Sequence, residues 1–191
     1  MKTICKSNMK YVFIGLVATL LFIPIAIAQV APAGGWETTI GGPFGDYGRS
    51  VWQTFDGGYI VVGDTYSYGN GEDDVYLIKI NAYGGVSWQK TFGGEGDDYG
   101  NFIQQTTDGG YIIAGITASY GAGGRDVYLI KTDAYGNIVW NKTFGGNNND
   151  YGYSVQQTTD GGYIIAGTTF SYGAGGSDVY FIKTNAYGNT E

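Results

Sequence analysis

Carboxylates are the side chains in this sequence that gather closely enough to invite chemistry. Glu72-Asp73-Asp74 and Glu95-Gly96-Asp97-Asp98 set acids side by side among glycines. Oxygen-rich flexible loops of this kind suit a Ca²⁺ ion. Paired carboxylates also serve as acid and nucleophile in glycoside hydrolysis. Two features weigh against both uses. First, the spacing matches neither an EF-hand nor a glycine-aspartate nonapeptide, and Asn147-Asn148-Asn149-Asp150 keeps the oxygens of the second cluster while losing charge. Second, the acids recur in register, as Asp46/Asp98/Asp150, Asp56/Asp108/Asp160 and Asp74/Asp126/Asp178. A catalytic pair is normally one asymmetric site, whereas a recurring Asp more often caps a turn by accepting backbone N–H bonds. No catalytic residue and no resident cofactor is expected. Ca²⁺ on the acidic loops stays open as the alternative to turn capping.

The rest of the inventory narrows the chemistry further. The chain has no histidine, and its one cysteine is Cys5. Beyond Cys5 there is nothing to build the usual zinc sites, Cys/His pairs or Ser-His-Asp triads. Lys2, Lys6 and Lys10 precede an apolar run from Tyr11 to Ile27, and Ala26-Ile27-Ala28 is a small-x-small site. That is the layout of a secretory signal peptide over residues 1–28, cleaved before Gln29. An uncleaved membrane anchor is the alternative. Three of the ten basic residues lie in that leader, so the remainder carries seven against seventeen acids. Such a surface repels nucleic acid and anionic membranes. The expected location is outside the cytoplasm, secreted or at the cell surface, with no stable membrane span once the leader is removed.

What must position these side chains is a repeat. Trp36, Trp88 and Trp140 lie 52 residues apart, and so do the Asp sets above. After a short linker, 29–35, the units 36–87, 88–139 and 140–191 align without a gap, and the last two match at 38 of 52 positions. A fixed period of this length marks a repeat architecture. In the second copy the expected strands are Phe102–Thr106, Tyr111–Thr117, Asp126–Thr132 and Ile138–Phe144, the first two joined by the Thr107-Asp108-Gly109-Gly110 turn. No stretch sustains a helical period. Segments such as Tyr163-Ile164-Ile165-Ala166-Gly167 are apolar on both faces, as strands sandwiched between neighbouring sheets are. The expectation is an all-β chain: a β-propeller segment of about three four-stranded antiparallel blades, an open arc unless another chain completes it.

The string DVYLIKTDAYGNIVW, Asp126–Trp140, resembles the end of the propeller repeats of pyrroloquinoline-quinone-type proteins. The matching positions are Asp133, Gly136 and Trp140, with Asn81, Gly84 and Trp88 one unit earlier. The resemblance covers about residues 36–191 and implies the fold. It also implies that these tryptophans dock between adjacent blades, a structural role shared by Trp36. Known quinoprotein enzymes have more blades and a cofactor site that this chain does not visibly supply.

Trp36–Ile40 reads as a fourth-type strand standing before any first strand, and the third unit stops where its own fourth strand was due. Pairing the chain ends would close a ring, but three blades fall below the usual four to eight. The chain is therefore expected to be a fragment of a longer propeller, or to self-associate so that two copies supply six blades. Positions where the copies disagree are the candidates for a ligand rim: Arg49/Asn101/Tyr153, Asp73/Arg125/Ser177 and Tyr66/Ala118/Phe170. The recurring tyrosines of Ser-Tyr-Gly and Ala-Tyr-Gly are better read as packing over turn glycines. The functional expectation is a non-catalytic scaffold binding protein or carbohydrate. The alternatives are a fragment of a quinoprotein-like enzyme and a truncated product without independent function.

Overall fold

The computed structural model describes residues 34–190; the expected leader and most of the linker lie outside the described residues. Eleven strands form three antiparallel sheets, none of them closed, and no helix occurs among the described residues. The first sheet contains β1 (Asp46–Gln53), β2 (Tyr59–Thr65), β3 (Asp74–Ile80) and β4 (Val86–Phe92). The second contains β5 (Asp98–Gln105), β6 (Tyr111–Thr117), β7 (Asp126–Thr132) and β8 (Ile138–Phe144). The third contains β9 (Asp150–Gln157), β10 (Tyr163–Thr169) and β11 (Asp178–Thr184). Each is a meander in chain order.

Strands two to four of the second copy fall where periodicity and turn residues place them. The first strand does not. It begins at Asp98, four residues before the expected start, and pairs Asp98 with Thr117. The stretch Asp98-Tyr99-Gly100-Asn101 has the composition of a loop, but Gly100 is there for close approach. A Cβ on it would meet a methyl of Val62 and the backbone of Gly63 in the neighbouring sheet. Residue 101 is then skipped in the pairing, and residues 49 and 153 are skipped in the same way, a β-bulge at one place in every sheet.

The sheets stack face to face. Tyr111 and Ile113 of β6 pack toward the first sheet, with Ile60, Val62, Val75, Leu77 and Ile103, while Ile112, Ala114, Val127 and Leu129 pack toward the third, with Val155, Tyr163 and Ile165. Every residue of β6 and β7 is therefore buried, which is why their sequence shows no polar alternation. Adjacent sheets meet most closely at their first strands. β5 lies against β1, β2 and β3, and β9 lies against β5, β6 and β7, with no comparable approach between β4 and β8.

Trp36–Ile40 departs from expectation, because it carries no strand pairing among the described residues. It lies instead over the outer face of the first sheet, with Trp36 edge-on to Tyr59 and Ile40 against the Tyr76, Ile78 and Ile80 cluster. Burying those apolar groups holds the segment in place without a ladder. The edge of β11 that would offer it hydrogen bonds belongs to the far end of the stack.

Candidate functional site

Antiparallel order puts two kinds of connection at opposite ends of every sheet. At one end are the tight turns after first and third strands. At the other are the glycine-rich loops after second strands and the links between sheets.

At the tight-turn end the chemistry is clamping. Asp108 accepts from the Thr106 hydroxyl and the Gly110 N–H, and Lys131 reaches it at 2.9 Å. The Lys131 ammonium, on a side chain only 5% exposed, also donates to the Thr132 carbonyl. Asp56 with Lys79 and Asp160 with Lys183 repeat the arrangement. These contacts hold the Asp108 carboxyl below its usual range: burial works the other way, but the Thr106 and Lys131 bonds outweigh it. The tryptophans act beside the neighbouring turns. Trp88 packs on Tyr111 and Trp140 on Tyr163, and a side chain on Gly136 would stand 2.7 Å from the Trp88 ring. The Ala-Tyr-Gly tyrosines do not pack there. Tyr135 and Tyr187 are largely exposed, and the tryptophans cover the turn glycines instead.

At the loop end the recurring carboxylates hold loops. Asp98 accepts from the Gly94 N–H and the Ser119 hydroxyl, and Asp126 accepts from the Ala122 N–H. The Ser-Tyr-Gly tyrosines tie sheets together. Tyr120 donates to the Gly93 carbonyl at 2.6 Å and packs on Tyr128, and Tyr172 does the same with Gly145 and Tyr180. Among the described residues no group of three or more Asp, Glu, His or Cys is placed to hold a metal ion.

The same end breaks the repeat. Arg49 is the residue skipped by the bulge in β1, and a bulge re-aims its side chain. Its guanidinium lies over the Tyr99 ring, 5.3 Å from the centroid, and pairs with the buried Asp64. Arg125, from the loop after β6, approaches the same ring at 5.5 Å and bonds Asp97 at 2.7 Å. Asp73 joins them from the loop after β2; its carboxyl is pushed up by burial and by the nearby Asp64 and Asp97 charges. Glu72 shares a hydrogen bond with Asp97, which raises Glu72. Asp97 is lowered: burial opposes this, but bonds with Glu72, Tyr99 and Arg125 prevail. Burial and the Asp97 charge push the Tyr99 hydroxyl up to about 12, so it stays a neutral donor.

Three rim candidates from separate segments, Arg49, Asp73 and Arg125, thus meet on Tyr99 at the junction of the first two sheets. The others go elsewhere. Asn101, skipped by the bulge in β5, donates to the Gly152 carbonyl of β9 at 2.9 Å and ties the second junction. Tyr153 stacks on Tyr151, and Phe170 meets that ring edge-on. Tyr66 sits edge-on to Phe44, half exposed. Sequence reasoning missed Asp64 and Tyr99, and it named Asp97 only as a member of an acidic loop, not of this junction. Asp64 and Asp97 were findable as column breaks, because Ile116 and Thr168, and Gly45 and Asn149, stand at their equivalents. Tyr99 was not, since Tyr47 and Tyr151 repeat it.

No protein-family model matches the chain, and no curated protein matches it. Among solved structures it is similar to a protein of unknown function from Bacteroides caccae, at 12% identity and a TM-score of 0.33, covering 79% of this chain and 68% of that one. A likeness at that level carries no argument about role.

Proposed function

We propose that the chain is a three-blade segment of a β-propeller, exported, and that it acts as a non-catalytic scaffold binding a protein or glycan ligand at its loop end. Four-stranded meanders, apolar on both faces and meeting at their first strands, support the propeller reading. The observation that carries the binding reading is the cluster on Tyr99. The second junction offers Asn101, Tyr151, Ser177 and Asn149 where the first has Arg49, Tyr99, Arg125 and Asp97. Repetition maintains the scaffold, and a departure from repetition at a junction of loops is where a ligand surface is built. Four carboxylates surround two guanidiniums, so the cluster suits a neutral sugar or a Lys/Arg-bearing protein segment better than an anion. The competing reading, a piece of a quinoprotein-like enzyme, rests on the resemblance of Asp126–Trp140 alone.

The test is a glycan array and a panel of basic peptides, run with the wild type and with Arg49→Ala/Arg125→Ala. The expected outcome is a ligand whose affinity falls roughly tenfold or more in the double variant. A ligand bound equally well by both proteins moves the site elsewhere. Turnover of an alcohol or sugar after reconstitution with the quinone overturns the scaffold reading.

A further inference from the structure

The two ends of the stack are counterparts of each other. Val75 and Leu77 on β3, and Val127 and Leu129 on β7, are fully buried, because the next sheet covers them. Their equivalents on β11, Val179 and Phe181, are 72% and 68% exposed. At the other end Ile103 and Val155, on β5 and β9, are buried against the preceding sheet, while their equivalent Val51 on β1 is 60% exposed. A cavity of about 290 Å³ opens on that same face, lined in part by Val61, Tyr76, Ile78 and Trp36. The outer face of the third sheet is thus the kind of surface that the outer face of the first is built to receive. The junctions inside the chain show the fit twice.

Hydrogen bonding points the same way. β3 and β7 each pair with a fourth strand, Leu77 opposite Lys90 and Leu129 opposite Lys142. β11 has no fourth strand among the described residues, only an isolated bridge between Thr184 and Thr190. Trp36–Ile40 is the repeat equivalent of Trp88–Phe92 in β4. It already stands where a preceding sheet's fourth strand would, with Trp36 on Tyr59 as Trp88 is on Tyr111. It lacks only a ladder partner.

We infer that two copies of this chain assemble head to tail: β11 of one pairs with Trp36–Ile40 of the other, and Val179 and Phe181 are covered by the face around Val51 and Val61. Such a contact is heterologous. Made twice between two copies, it closes six sheets into one ring, within the size range of propellers. The contact follows from the internal junctions alone; the closed ring also rests on the propeller reading.

Native mass spectrometry and light scattering on the full chain from an exporting host test this. The wild type should have twice the chain mass. Val51→Asp and Val179→Asp/Phe181→Asp should each give single chains with unchanged circular dichroism, since these side chains are exposed within one copy. An equimolar mixture of the two variants should form a species of double mass that dissociates at higher concentration than the wild type, because it restores one of the two contacts and leaves the other between both altered faces. In a Cys5→Ser background, mixing Thr38→Cys with Phe181→Cys should give an oxidised, dissociation-resistant dimer. This readout holds even if the aspartate variants fold poorly. A wild type of single-chain mass at all soluble concentrations overturns the inference, as does a dimer that persists in either aspartate variant alone. Unlimited polymers would keep the contact but overturn the ring, and with it the propeller closure.

Discussion

Asp74 is 1% exposed, accepts a backbone bond from Asn70 at 2.6 Å, and pairs with no cation among the described residues. Burial, with the Asp98 and Asp73 charges adding to it, pushes its carboxyl up to about 6. Asp126, in the same place one unit on, moves in the same direction. A carboxyl raised in the folded state stabilises most when protonated in both states, and that contribution is lost as pH rises through the folded value. The melting temperature is therefore expected to fall between about pH 4 and pH 6, the window between the ordinary Asp value and that of Asp74. Asp74→Asn keeps the acceptor for Asn70 and removes the charge. It should flatten part of that slope and melt above the wild type at pH 7, measured by circular dichroism across the pH series. An Asn variant that melts lower at pH 7 would show that the charge is needed. The carboxylates held low, among them Asp56, Asp97 and Asp108, act oppositely and below this window. Little of this was legible in the sequence. The Asp recurrence identified loop-holding groups, but which of them would lack a cation depends on which loops fold over them.

At the scale of elements, the turn after a third strand and the tryptophan of the preceding sheet are one device. Gly136 has φ +76° and lies under the Trp88 ring. Gly109 has φ +85° with open space around it. Both are turn glycines of the same repeat, yet an alanine should cost differently at each. Gly109→Ala meets the left-handed backbone penalty alone, about 1–2 kcal/mol. Gly136→Ala adds the displacement of the indole, for roughly 2–4 kcal/mol in total. Urea denaturation of the two variants checks the order, and equal costs would mean that the ring yields freely. The glycines were visible in the sequence as turn residues, and the tryptophans as docking groups through the resemblance. That each tryptophan docks on a turn glycine of the next sheet was not visible, because that register belongs to the stacking of sheets. The bulges were hidden for a similar reason. A single skipped residue leaves no periodic trace in Asp-Tyr-Gly-Asn, yet it decides where Arg49 points.

At the scale of the whole molecule, one substitution in two sheets distinguishes a buried face from an open one. Ile103→Ala removes a side chain with no exposure between the first and second sheets and should cost about 2–5 kcal/mol. Val51→Ala, at the equivalent position, should cost under about 1 kcal/mol in a single copy. Denaturation at several protein concentrations measures both. A Val51→Ala cost that grows with concentration would report a face covered by a second copy. The sequence by itself determined that this is an all-β repeat, where most of its strands lie, and which columns vary. Those properties are local or periodic: turn residues, apolar runs and a fixed spacing survive in one dimension. Only the tertiary structure decided that Arg49, Asp73 and Arg125 converge on a Tyr99 common to all three units, and that among the described residues of one copy Trp36–Ile40 lies on the first sheet without a ladder and the outer faces are exposed. Those depend on which sheet stacks on which and how far each bulge turns a side chain, and no residue carries that information alone.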